Sequence, residues 1–376
     1  MSSALIYDHI WHLPKTDLHR HIDGAIKPKT VMRLAKKLGV KLPTNNLMEF
    51  TKLYQIIEPQ GMPVDQLFQR FGWGIAVMRT PEGIYEVFRE EVRNLANENI
   101  LYSESRFAPG YHSIYPAPWY KPEMYEEKPF PVMSLDQTVK YALAGLEQGM
   151  KETGIVTNLI LCIPRESLST PGQGPKSVND IVDLALRFQG DGVVGLDLAC
   201  DEFRHKPDPY IPYLRRTIGT NIRRVPHGGE MGEDADRLRN IEVCLNPKKI
   251  NANGIGHGYP LWQSPHLMGL TRKKNIRVER TPLSLLPNCS MENGRLDVLL
   301  ENQVPVVITS DDPVLMKTTL SDNWEALLKY HNYGEKEFWQ MTANALNTGF
   351  FRNEDQKKAV QKRFIKRGLS KSLLKK

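Results

Sequence analysis

The 376-residue chain contains no uninterrupted apolar run approaching the roughly 20 residues that a membrane-spanning helix needs, so no membrane span is expected. Its opening residues carry no basic segment, no apolar stretch of signal length and no small-residue cleavage site, and a cytoplasmic protein is the expectation. Cysteine is scarce. Cys162, Cys200, Cys244 and Cys289 stand far apart with no CxxC pair, which argues against a disulfide framework and against a thiolate zinc site. No internal repeat and no interdomain linker interrupts the chain.

An excess of positive charge is also missing from most of the protein, despite a formal net charge of +7. Residues 357–376 hold nine basic residues and no acid, so the remainder sets 41 basic residues against 43 acidic ones. The chain therefore divides into a body, residues 1–356, and a basic C-terminal tail, residues 357–376. The tail is expected to be a solvated terminal helix with a frayed end, polyanion binding being the alternative. No obligatory nucleic-acid partner follows from it, and the oligomeric state stays open.

What is present is a series of eight short β-rich runs: 14–18, 100–106, 156–163, 192–198, 222–225, 252–255, 276–280 and 305–309. Segments of helical periodicity separate them, among them 30–38, 80–96, 178–188 and 235–245, and the alternation predicts a parallel sheet. Eight βα units predict a (β/α)8 (TIM) barrel with additional helices inserted after strand one. Nearly every run ends on polar or titratable residues: His19 and His21, Glu104 and Arg106, Asp197 and Asp201, His227 and Glu230, His257, Glu279, Asp311 and Asp312. That is where such barrels carry their chemistry. An apolar stripe of Phe50, Leu53, Tyr54, Ile56 and Ile57 is expected to pack, or to cover the barrel mouth. The segment 109–131, rich in proline and aromatics, is expected to form one side of a ligand pocket.

His19-Arg20-His21 is the strongest local signal. Side chains at i and i+2 of a strand share a face, so both imidazoles would enter the barrel together, and neutral imidazole suits Zn²⁺. His227 ends strand five, followed by two glycines that allow close backbone approach. Asp311 ends strand eight, beside strand one in a closed ring. These four residues can converge on one zinc ion per chain while leaving a position for water. Glu230 can donate a proton, its pKa raised by a desolvated pocket, and His257 can orient and deprotonate a water.

The segments Asp17-Leu18-His19-Arg20-His21-Ile22-Asp23-Gly24-Ala25, His227-Gly228-Gly229-Glu230, Gly256-His257-Gly258 and Ser310-Asp311-Asp312-Pro313 resemble, in order, the four signature motifs of the adenosine deaminase family. Tyr102–Pro109 and Leu196–Glu202 match two further family segments, and the resemblance runs from about Lys15 to about Phe351. It implies zinc on His19, His21, His227 and Asp311, with Glu230, His257 and Asp312 as catalytic groups. It further implies Glu230 as proton donor to the purine N1, Asp312 near N7, and Asp23 at a ribose hydroxyl. His21 and Cys200 join Asp23 and Asp312 as substrate-binding positions. The HxE and PCxxC signature of the cytidine-type deaminases is absent.

Three departures fall where substrate is read. Cys200 occupies the place of a family glycine whose N–H meets N3. The strand-seven segment reads Thr281-Pro282-Leu283-Ser284-Leu285 and then Leu286-Pro287-Asn288-Cys289-Ser290. The 109–131 loop is long and aromatic. The expected reaction is hydrolytic deamination of adenosine or 2′-deoxyadenosine. The alternatives are the same chemistry on a 5′-modified nucleoside (methylthioadenosine or aminofutalosine type) or on free adenine, then a general amidohydrolase, then an idle binding protein. No lysine ends strands three to five, which favours one metal over a bridged pair.

Overall fold

The computed structural model describes residues 9–56, 64–283 and 289–374. Ile57, Ser284–Asn288, Lys375 and Lys376, which figured in the sequence reading, lie outside the described residues. Among the described residues nine strands, each parallel to its neighbours, form the centre: β1 (Lys15–His21), β2 (Ile100–Phe107), β3 (Val156–Pro164), β4 (Val193–Ala199), β5 (Arg223–Arg224), β6 (His227–Gly228), β7 (Gly254–His257), β8 (Arg277–Arg280) and β9 (Val306–Ile308). They run as β1-β2-β3-β4-β5 and β6-β7-β8-β9.

Two seams join these arcs into the (β/α)8 barrel. Strands β5 and β6 are halves of the expected fifth strand, interrupted at Val225-Pro226 because proline offers no N–H to a ladder. The Val225 N–H still donates to Leu196 O (2.9 Å), and Pro226 O accepts from the Gly256 N–H (3.0 Å). At the other seam, the Asp311 N–H donates to His19 O and the His21 N–H to Asp311 O, both at 2.9 Å. That exchange fixes Asp311 beside the two histidines of β1.

The strand predictions hold with shifted ends. The first strand extends through His21, so both histidines lie on it, and the sixth runs from Gly254 to His257. The strands are buried on both faces, as a parallel sheet wrapped by helices requires. Helix Pro81–Asn97, capped by Thr80 with Pro81 in its first turn, buries Ile84, Val87, Phe88, Val92 and Leu95 at helical spacing. It crosses helix Leu135–Thr153 closely. A Cβ on Gly145 would come within 2.5 Å of Tyr85 O, and one on Gly149 within 2.6 Å of Val92 Cβ.

After β1 come helices Pro28–Leu38, Leu47–Tyr54, Val64–Gln69 and Gly72–Val77, the predicted insertion. Within the apolar stripe Phe50, Tyr54 and Ile56 are buried, whereas Leu53 is exposed. Helix Glu354–Lys366 runs through the compositional boundary at 356/357 and seats Val360 and Phe364 in the core, with Leu369 following.

Candidate metal centre and substrate pocket

The ends of β1, β6 and β7 and the turn after β9 meet at one mouth of the barrel. His19 and His21 approach through their Nε2 atoms at 3.2 Å, and His21 and His227 through theirs at 3.3 Å. Asp311 Oδ1 stands 3.3 Å from His19 Nε2 and 3.6 Å from His21 Nε2. Donors about 2.0–2.1 Å from a single tetrahedral ion stand about 3.3 Å from one another, so these spacings fit a zinc-sized ion.

Lone-pair direction supports the fit. His19 Nδ1 bonds to Glu279 Oε2 (2.8 Å) and His227 Nδ1 to Asp197 Oδ1 (2.9 Å). Each carboxylate accepts a hydrogen bond from the Nδ1–H and turns the Nε2 lone pair toward the common centre. Arg106 bridges the two carboxylates, reaching Asp197 Oδ2 and Glu279 Oε2 at 2.9 Å each. Burial alone would raise Asp197, but His227 and Arg106 hold its carboxyl well below the usual range. Burial and the neighbouring His19 push the His21 imidazole well below its ordinary pKa, leaving it neutral.

His257 Nε2 lies 3.4 Å from Glu230 Oε1 and 4.0 Å from Asp311 Oδ2. Both ring nitrogens of His257 are buried without a hydrogen-bond partner among the described residues. With His19, His227 and Asp311 it also forms a group close enough to ligate an ion, so distance alone admits His257 as a fifth donor. Both His257 (φ 67°) and Asp311 (φ 61°) occupy the left-handed region, a strain that the close-packed site sustains.

Glu230 is buried at the pocket wall. Its backbone N–H and those of Gly229 and Met231 donate to the Glu202 carboxylate at 2.7–3.1 Å, which pins the turn that presents it. Burial, then the charges of Asp311 and Glu202, raise the Glu230 carboxyl well above the normal range, so it holds its proton. Asp312 is raised for the same first reason, with Asp311 and Asp23 adding to it. Its Oδ1 is buried without a hydrogen-bond partner among the described residues. Gly24 faces it so closely that a Cβ there would lie 1.9 Å from Oδ1.

One cavity collects His21, His227, Asp311, Glu230, Asp312, Asp23 and Cys200. His19 and His257 stand behind it. Tyr111 and Trp119 come from the 109–131 segment, whose predicted place on the pocket wall is thereby met. Asp23 accepts from His112 Nε2 (3.0 Å). Cys200 has φ 75°, the conformation a glycine adopts without cost, and its Sγ lies 3.3 Å from Tyr111 Oη. The sequence reading assigned no part to Glu202 or His112, and it took Asp197 and Glu279 as polar strand ends. Glu104 and Arg106 are fully buried, with Glu104 paired to Arg277 beneath the site.

In a (β/α)8 barrel catalytic residues gather at the strand ends, and here those ends carry imidazole and carboxylate donors. An amidohydrolase from Burkholderia ambifaria solved with bound Zn superposes at TM-score 0.77, with 19% identity, covering 98% of this chain and 94% of its own. The N6-methyl-AMP deaminase of Arabidopsis thaliana gives TM-score 0.75 and 20% identity over 96% of this chain and 98% of its own. The family model described as adenosine deaminase matches residues 14–367, and the chain belongs to the adenosine deaminase family. The adenosine deaminase of Danio rerio is 27% identical over 96% of this chain and 97% of its own length. The protein is thus a hydrolase acting on carbon–nitrogen bonds.

Proposed function

We propose that the protein is a zinc-dependent deaminase converting adenosine and 2′-deoxyadenosine to inosine and 2′-deoxyinosine with release of ammonia. The carrying observation is the convergence of His19, His21, His227 and Asp311 through contacts of 3.2–3.6 Å, with Glu230, its carboxyl raised well above the usual range by burial, facing the same cavity. Bound there, one Zn²⁺ would supply a water ionised near neutral pH, since the ion can lower water's pKa from 15.7 to about 7.

The residues supply the rest. Glu230, aimed by Glu202, delivers its proton to the ring nitrogen beside the amino-bearing carbon and makes that carbon electrophilic. His257, held neutral by burial, orients the attacking water and takes its proton. Protonated Asp312 can donate to N7, and the Cys200 backbone N–H can donate to N3. Asp23, backed by His112, can accept from a ribose hydroxyl. No lysine or arginine stands among the described residues that line the cavity, which favours a nucleoside over a 5′-phosphorylated nucleotide.

The second reading keeps this chemistry and changes the substrate to a 5′-modified adenine nucleoside or free adenine. The Cys200 side chain and the Tyr111 and Trp119 rings on the pocket wall are what favour it. A panel of adenine, adenosine, 2′-deoxyadenosine, methylthioadenosine and AMP, followed by loss of adenine absorbance beside metal analysis, decides between them. Adenosine is expected to give the highest kcat/KM with one zinc per chain. A higher value for a 5′-modified nucleoside installs the second reading, and turnover of none removes both.

A further inference from the structure

At the opposite mouth of the barrel, where strands begin, lies a second cleft of about 640 Å³. That volume falls within the ~300–1,000 Å³ of small-molecule sites. It opens beside the starts of β5, β7 and β8 and the turn between helices Glu335–Thr348 and Glu354–Lys366. Its cations are Arg223, Lys274, Arg352 and Lys357, against one carboxylate, Glu354.

Several cations elsewhere on this surface are paired. Arg33, Lys37, Arg93, Arg187, Arg216 and Arg239 each meet a carboxylate. None of the four cleft cations does so among the described residues. Arg352 is held by Asn158 Oδ1 through Nε (2.9 Å) and Lys274 by Asn251 Oδ1 (3.1 Å), both neutral partners. The side chains of Arg223 and Lys357 have no hydrogen bond or ion pair among the described residues. Directly behind Arg223, the buried Arg224 side chain bonds among the described residues only to Ile250 O, Asn251 O and Thr217 Oγ1. Its pKa is brought down to about 10 by burial, with Arg223 and Arg215 adding to the effect. Positive charge is in excess here, with Glu354 in the cleft and the more distant Glu147 and Asp191 charges acting on Arg352 as a partial counterweight. Asn347, on the cleft wall, donates through Nδ2 to Leu373 O (3.0 Å) near the chain end.

We propose that this cleft is a second binding site, taking a small polyphosphate anion, either as a phosphorylated nucleotide or as free polyphosphate. Arginine and lysine side chains meet the phosphate oxygens, an environment that the catalytic pocket, with no cation in its described lining, does not offer. Asn221 supplies an amide donor and acceptor, and Asn253 and Asn353, whose Oδ1 atoms already accept from the Arg224 and Gln356 backbone N–H groups, supply amide donors suited to the polar body of a nucleotide.

The test is calorimetric titration of the full chain with tripolyphosphate and, separately, with UTP, repeated with the catalytic pocket saturated by inosine. Binding of either probe is expected, insensitive to inosine and weakened by added salt. It should fall at least tenfold in the Arg223→Gln/Lys357→Gln variant while adenosine turnover is unchanged. UTP binding tighter than tripolyphosphate identifies a nucleotide as the ligand, and equal or weaker UTP binding identifies polyphosphate. Silence with both probes overturns the proposal, as does competition by inosine or indifference to the double substitution. A chain that ignores both probes yet holds single-stranded RNA through Arg223 and Lys357 also overturns it, in favour of a macromolecular partner.

Discussion

The carboxylate behind His227 offers the sharpest test of how the centre is built. Asp197 Oδ1 accepts from His227 Nδ1 (2.9 Å) and from the His227 backbone N–H (3.2 Å), while Oδ2 accepts from Arg106 (2.9 Å). Asp197→Asn keeps an acceptor for His227 but turns an NH₂ group toward the Arg106 guanidinium, setting donor against donor. The amide also no longer holds charge against His227, so the imidazole becomes a poorer ligand. Loss of such an orienting partner typically costs about 10- to 100-fold in metal affinity, equivalent to about 1.4–2.7 kcal/mol. The metal-free protein should lose about 3 kcal/mol as well, the low end for breaking a buried ion pair, because Arg106 retains Glu279. Zinc affinity is read by competition with a chromophoric chelator, and stability by urea unfolding in excess chelator. A folded Asp197→Asn variant with wild-type zinc affinity would refute the reasoning that this carboxylate aims and charges the ligand.

Glu230→Gln should retain zinc and lose about 10²–10⁴-fold in kcat, because an amide has no acidic proton to give; near-normal turnover removes Glu230 from the mechanism. The donating form is the protonated one, and the Glu230 pKa is raised, so wild-type kcat should fall as pH rises through that value. Cys200→Gly should relieve a left-handed φ of 75° and change stability by no more than about 1 kcal/mol, since glycine's greater unfolded-state entropy offsets the relief. Urea unfolding checks this, and a loss well beyond that range would show that Sγ packing against Tyr111 outweighs backbone strain. Removal of metal with a chelator should lower the melting temperature, the bound ion contributing about 2.7 kcal/mol when it stands at 100 times its Kd. An unchanged melting curve after verified metal loss would mean that the four donors are held apart without an ion.

Much of the centre was legible because its determinants are local or follow from strand order. An i, i+2 histidine pair needs only the two-residue period of a strand, and Asp311 reaches it because the last strand of a closed barrel must lie beside the first. The groups that were not assigned a role act across long sequence separations. Glu279 meets His19 from 260 positions away and His112 meets Asp23 from 89, with no motif marking either contact. Pro226 stood in plain view within the fifth strand's reach, yet its effect depends on which neighbour lacks a donor, and register is a property of the sheet. The tail shows a different limit. Its lysines and arginines suggested a solvated segment, but Val360 and Phe364 are four apart on one helical face and both are buried. Deleting residues 357–376 would therefore remove core along with charge, and substitutions at Lys357 or Lys371 are the cleaner probes of what the basicity does. Charge counted along a chain reports composition. Only the fold decides which of those charges find partners, and at the base of this barrel four cations form no ion pair among the described residues.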